Sequence, residues 1–134
     1  MPRIKIGWLL AVLLWAAGIW ILSNIPDLNS GLEQDFILRK IAHAAEFGVL
    51  AFLIYKALTG SKISHVLLAG LLALTYAGLD ELHQSYVFGR VGATTDVLID
   101  SIGIVLVVAL LIWRVRQRPL RGLAHVDQIG HHKR

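Results

Sequence analysis

Three stretches of this chain are too long and too free of charge to belong to an ordinary soluble domain. Residues 6–22 carry no charged side chain, and as a helix those 17 residues reach about 26 Å, close to the hydrocarbon thickness of a bilayer. Residues 66–79 are also uncharged, and residues 97–113 are apolar except for Asp100 and Ser101. In hydrocarbon every backbone N–H and C=O must be paired within the protein, so such runs read as membrane helices. Hydrophobic residues make up 56% of the 134 residues, which agrees. The length suggests one domain. With no cysteine, a disulfide framework and thiol chemistry are excluded. No basic patch interleaved with aromatic residues is present, so nucleic acid is not an expected partner.

Four helices are expected. The first covers residues 6–22, behind Arg3 and Lys5. A cleaved signal peptide fits it less well, because the run exceeds a usual apolar core and Ile21-Leu22-Ser23 is not a small-x-small cleavage site. Pro26 ends it. The second helix begins near Asp35, enters the membrane near Ile41 and runs to Leu58. Its early turns carry Arg39, Lys40, His43 and Glu46, so hydropathy alone marks it weakly. The third runs from Ile63 through Gln84. The fourth starts at Thr94 or Thr95, either of which could cap it. It ends at Pro119, after Arg114, Arg116 and Arg118. This is an all-α integral membrane bundle of four transmembrane helices. Residues 1–113 form the membrane domain and residues 114–134 a basic, loosely ordered cytoplasmic tail. His131 and His132 in that tail read as solvated residues.

The charge distribution orients the bundle. Arg3, Lys5, Lys56, Lys62, Arg114, Arg116, Arg118, Arg121, Lys133 and Arg134 fall on one side, and only Arg39, Lys40 and Arg90 on the other. The positive-inside rule then expects both termini in the cytoplasm of a bacterial inner membrane. Residues 23–40 and 81–96 would face outward.

The unusual polar residues all fall at that outward end. Lys40, His43 and Phe47 follow i, i+3, i+7, with Glu46 one turn past His43. Asp80 and Gln84 are i, i+4, Glu81 and Gln84 are i, i+3, and Asp96, Asp100 and Gly103 continue the pattern on the fourth helix. A charge facing lipid costs roughly 2.5–3.5 kcal/mol on insertion scales. Three polar stripes turned toward one another would pair their charges and enclose a small wet cavity. Gly48, Gly70, Gly78 and Gly103 would permit close helix contact, although no GxxxG motif marks an oligomer interface. Trp8, Trp15 and Trp20 read as lipid-facing or interfacial residues. Tyr76, one turn before Asp80, packs or hydrogen-bonds into the site. His83 points aside, toward the loop.

These residues resemble a known family. KIAHAAEFGVLAFL (residues 40–53), DELHQ (80–84), FGR (88–90) and DVLIDSIG (96–103) are similar to the VanZ-like family of small bacterial membrane proteins, and SNIP (23–26) resembles its motif after the first helix. The resemblance covers about residues 6–113. It implies Lys40, His43, Glu46, Asp80, Glu81, Gln84, Arg90 and Asp96 as the polar set. It also implies a role in the cell envelope, since the named member is associated with teicoplanin resistance. Arg39 stands where the family often has aspartate, and Asp100 where asparagine is common.

Three functional readings stay open. In the first, the site binds a phosphate-bearing lipid or cell-wall precursor. Arg90 grips phosphate, and Lys40, Glu81, Gln84, Asp96 and Asp100 line the site. Hydrolysis there would use His43 as nucleophile or general acid–base, oriented by Glu46 or Asp80. In the second, the carboxylates with His43 and His83 hold a divalent metal; no ligand signature supports it, Lys40 and Arg90 oppose it, and no cofactor is expected. In the third, the protein is a non-enzymatic transport or interaction component, with homo-oligomers plausible. The bland alternative to all three is that Arg90 and Lys40 only neutralise Asp80, Glu81 and Asp96 so that the helices can pack.

The orientation is directly testable, because the chain lacks cysteine. In intact cells a membrane-impermeant thiol reagent should label Phe88→Cys but reach Ser61→Cys only after permeabilisation. The reverse pattern would invert the topology.

Overall fold

The structure, a computed structural model, describes residues 5–25, 33–58, 62–88 and 94–130. It consists of α1 (Ile6–Ser23), α2 (Glu33–Ala57), α3 (Ile63–Gln84) and α4 (Thr94–Gly130). No strand occurs among the described residues. Pro26, the turn at residues 59–61, Arg90 and the tail histidines His131 and His132 lie outside them.

The helix ends follow local chemistry. At the end of α1 the Asn24 backbone N–H bonds the carbonyls of Ile21 and Leu22, and its side-chain amide donates to the Trp20 carbonyl at 2.8 Å. These contacts satisfy carbonyls that a helix terminus otherwise leaves open. At the end of α3 the Ser85 hydroxyl donates to the Leu82 carbonyl, and the Tyr86 and Val87 amides bond back to His83 and Gln84. One expected end differs. α4 does not stop at Pro119 but continues to Gly130. Proline removes a single i to i−4 bond, and Leu120, Arg121, Leu123 and Ala124 are good helix formers on its far side. At 37 residues α4 is about 55 Å long, more than a bilayer needs.

Three contacts set the topology. The Lys5 amide donates to the Ala57 carbonyl at 2.9 Å, joining the start of α1 to the end of α2. Ser23 and Asp80 meet at the other end, as do Lys40 and Asp96. α1 and α3 therefore run one way, and α2 and α4 the other. α1, α3 and the 95–117 part of α4 are each long and apolar enough to cross a membrane. α2, whose early turns are charged, packs against all three.

The buried stripe of each helix is apolar at one end and polar at the other. On α3 it reads Val66, Ala69, Gly70, Ala73, Ala77, then Asp80, Glu81 and Gln84, at helical spacing. Phe47, Leu50 and Ala51 of α2, Ile19 of α1 and Ile104 of α4 close over Ala73 and Ala77. A second cluster of Tyr55, Val66, Ala69 and Leu111 lies nearer the other end. Leu, Ile, Val and Trp side chains meanwhile cover the outer surface, from Leu14 and Ile21 on α1 to Leu106 and Trp113 on α4. Exposed apolar surface on that scale belongs against lipid.

Glycine decides how closely α2 and α4 approach. A Cβ on Gly103 would lie 1.8 Å from the Ala44 carbonyl oxygen, and one on Gly48 would lie 3.0 Å from the Gly103 carbonyl oxygen. At Gly70 a Cβ would lie 2.8 Å from Val108 Cγ2 and 3.8 Å from Ile104 Cγ2, and at Gly78 it would meet nothing. Close contact thus holds at Gly48, Gly70 and Gly103 but not at Gly78. Gly103→Ala should lower stability by about 1–3 kcal/mol through overpacking. Gly78→Ala should hold or raise it, by up to about 1 kcal/mol of helix propensity. Thermal unfolding of the two variants in detergent checks the contrast.

Candidate functional site

The polar end of the bundle is built in layers. At the rim, Lys40 Nζ meets Asp96 Oδ1 at 2.7 Å, linking α2, two turns from its start, to the first turn of α4; both side chains are part-exposed. One turn further in, His43 Nδ1 faces Asp100 Oδ1 at 3.7 Å. That separation is within ion-pair range but too long for a hydrogen bond. Asp100 is 2% exposed. The two pairs stay in register because Ala44 and Gly103 touch directly below them.

Asp80 is held from the α1 side. It is 1% exposed. Its Oδ2 accepts from the Ser23 hydroxyl at 2.8 Å and from the Gln84 amide at 2.7 Å, and that amide lies 3.4 Å from the Ser23 oxygen. A buried carboxylate needs such donors, since burying it unpaired costs several kcal/mol. Its Oδ1 has no hydrogen-bond partner among the described residues, and neither does Asp100 Oδ1. His43, Glu46, Asp80 and Asp100 lie within electrostatic range of one another. Glu81 is buried on the same face of α3.

Aromatic residues wall this region. Trp20 stacks on His83 with ring centroids 3.8 Å apart, and His83 Nε2 lies 3.0 Å from Asn24 Oδ1. Trp15 Nε1 donates to the Glu46 carbonyl, and the Tyr76 hydroxyl donates to the Ala16 carbonyl. These bonds pin α1 against α2 and α3. Phe47 fills the floor beneath His43, with Tyr76 beyond it.

Several expectations are met and others change. Lys40, His43, Asp80, Gln84, Asp96 and Asp100 converge at one end as the helical spacing implies. The carboxylate facing His43 Nδ1 is Asp100, where Glu46 or Asp80 was expected. Asp80 Oδ2 accepts from a hydroxyl and an amide rather than a cation. Tyr76 bonds the α1 backbone and not the site, while Trp20 and His83 pair with each other. Arg90 lies outside the described residues. Among those residues, no three His, Asp or Glu side chains gather where they could hold a metal ion. Of the carboxylates in the metal reading, Asp96 pairs with Lys40, Asp100 faces His43, and Asp80 accepts from Ser23 and Gln84.

Ser23 is the residue that sequence reasoning missed. It falls in the SNIP motif, read only as the end of a helix. A lone serine carries no periodic signal, and its partner is 57 residues away.

The fold and site define a polytopic helical membrane protein with a buried polar cluster at one end. The VanZ/LLP1 family model matches residues 8–116, and the chain belongs to that family. It is 36% identical to the uncharacterised membrane protein YwnJ of Bacillus subtilis (strain 168), across 69% of this chain and 68% of that protein. No solved structure matches the chain.

Removing the Ser23 hydroxyl tests the Asp80 network. Ser23→Ala should cost about 1–3 kcal/mol, because it takes a donor from a buried carboxylate. Ser101→Ala, whose hydroxyl bonds only the Leu98 carbonyl of its own helix, should stay within about 0.5 kcal/mol of wild type. Chemical denaturation in detergent reads both.

Proposed function

We propose that this protein is an envelope component of the bacterial cytoplasmic membrane that binds the headgroup of a phosphate-containing lipid or cell-wall precursor at its polar end, with that end facing outward. The observation that carries the phosphate reading is the cationic rim, where the part-exposed Lys40 meets Asp96 and Arg39 stands beside it in the chain; the polar interior beneath marks this end as more than a packing surface. Two fully buried carboxylate oxygens, on Asp80 and Asp100, have no donor among the described residues. A purely structural polar cluster would pair such atoms internally, because leaving them unpaired costs stability. Functional sites are where this cost is tolerated. Above them the Lys40–Asp96 pair and Arg39 provide a charged rim at helix ends, the depth at which lipid phosphates sit. Arg90, two residues past Phe88 in the sequence, is the phosphate donor that the family resemblance implies. Through a cell-wall precursor the protein would act on glycopeptide sensitivity, the trait that the family resemblance implies.

One observation favours turnover as a second reading. His43 is partly accessible and faces the buried Asp100, so an imidazole oriented by a carboxylate is available to a bound phosphoester. A membrane-embedded lipid phosphatase would use His43 in that role. Non-enzymatic interaction or transport needs no such pair.

Native mass spectrometry of gently extracted protein tests binding. Wild type should retain a phosphate-bearing lipid, and Lys40→Gln and Arg90→Ala should reduce its occupancy about tenfold, the scale of one charge-assisted hydrogen bond. Identical lipid profiles in all three proteins would overturn the phosphate reading.

A further inference from the structure

A groove runs between α2 and α4, with a volume of about 370 Å³, inside the roughly 300–1,000 Å³ range of small-ligand sites. α2 contributes Ala45, Gly48 and Phe52, and α4 contributes Gly103, Leu110 and Arg114. These fall at i, i+3, i+7 on α2 and at i, i+7, i+11 on α4, so each helix gives one stripe. Val49 and Leu106 line it too, and both are exposed on the outer surface, so the groove opens toward lipid. At one end the lining is Ala45, Gly48 and Gly103, which are too small to fill the space between the helices. At the other end, away from the polar cluster, stands Arg114. The walls between are almost wholly apolar. No carboxylate pairs with Arg114 among the described residues. The neighbouring cation, Lys56, sits over the Trp8 ring of α1, which leaves Arg114 as the cation that lines the groove. None of the charged side chains of the polar end takes part.

We propose that this groove holds one acyl chain of an anionic phospholipid, with the lipid's phosphate at Arg114. Length selects a lipid. Residues 103–114 cover about 16 Å of helix axis, half of a hydrocarbon core of roughly 30 Å. The groove therefore spans one leaflet, from near the middle of the 95–117 crossing almost to its end. A phospholipid has the same form, with its chain end at the midplane and its phosphate at the interface. Chemistry selects an anionic one. A cation at the mouth and no charge within call for a negative head on an apolar tail. The void itself favours occupancy, because lining atoms without neighbours forfeit dispersion contacts, and in lipid it is packing that drives association. A second copy of this chain suits the groove less well. Two copies related by a two-fold axis along the membrane normal would bring both Arg114 side chains to the same end, like charge against like. The proposal is independent of the phosphate reading at the polar end.

Photo-cross-linking tests it. Delipidated full-length protein in detergent is incubated with phosphatidylglycerol carrying a diazirine in one acyl chain, illuminated, and the adducts are mapped by peptide mass spectrometry. In wild type the labels should concentrate on residues 45–52 of α2 and 103–110 of α4. Unlabelled phosphatidylglycerol should displace the probe about fivefold more effectively than phosphatidylcholine of the same chains, the scale of one basic residue at an anionic headgroup. Arg114→Gln should bring that ratio to about one. Val49→Trp, which fills the groove, should remove labelling of both segments. Leu71→Trp, at an exposed position on α3, should change neither result, and nor should Lys40→Gln at the polar end. The wild-type label map and the Arg114 variant decide the matter if the Val49 variant does not fold. Labels spread evenly over the outer faces of all four helices would overturn the proposal, and so would equal displacement by the two lipids. Loss of the groove labels in Lys40→Gln would also overturn it, by placing the bound lipid at the polar end. Absence of groove labels together with a dimer that Val49→Trp dissociates would overturn it in favour of a second copy.

Discussion

Gly103 lies against the carbonyl of Ala44, and the polar end of the bundle depends on that contact. Any side chain at position 103 would occupy the space the carbonyl now fills. The contact draws α2 and α4 together just below the point where His43 meets Asp100 and, a turn further out, where Lys40 meets Asp96. Both pairs bridge the same two helices, and a slide or separation of the helices would break both at once. Van der Waals contact between backbones thus holds charged groups in place where hydrophobic burial between helices supplies little force in lipid.

Desolvation is the opposing term. Asp80 and Asp100 sit where water would ordinarily be expelled, and an ionised carboxylate there must be hydrogen-bonded or neutralised. The protein meets that demand incompletely. Ser23 and Gln84 serve one oxygen of Asp80, and His43 stands off from Asp100. Below, the cluster of Phe47, Leu50, Ala73, Ala77 and Ile104 is closely packed and carries the stability that the polar layer lacks. Binding sites commonly show this division, in which a rigid apolar base supports groups whose partners arrive with the ligand.

α1 contributes more than a membrane crossing. Its tryptophans reach inward, Trp15 to the Glu46 carbonyl and Trp20 to the His83 ring, and its last residues hold Asp80 and His83 through Ser23 and Asn24. The helix with no charged residue therefore completes the site assembled by the three charged ones.

Much of this architecture is dictated by local pattern. Long, largely uncharged runs marked three of the four helices, and 3.6-residue spacing put Lys40 with His43, Asp80 with Gln84, and Asp96 with Asp100 on single faces. Those properties depend only on neighbours within a helix, so the chain order carries them. Pairing across helices does not. That Asp100 and not Glu46 faces His43, that Asp80 rests on Ser23, and that Gly103 but not Gly78 is in close contact all depend on helix rotation and axial offset. Those are set by packing of side chains far apart in the chain, such as Phe47 against Ala73 and Ile104. Residues on one helix announce their shared face in the sequence, whereas partners 57 residues apart, as Ser23 and Asp80 are, become partners only when the tertiary packing has chosen the register.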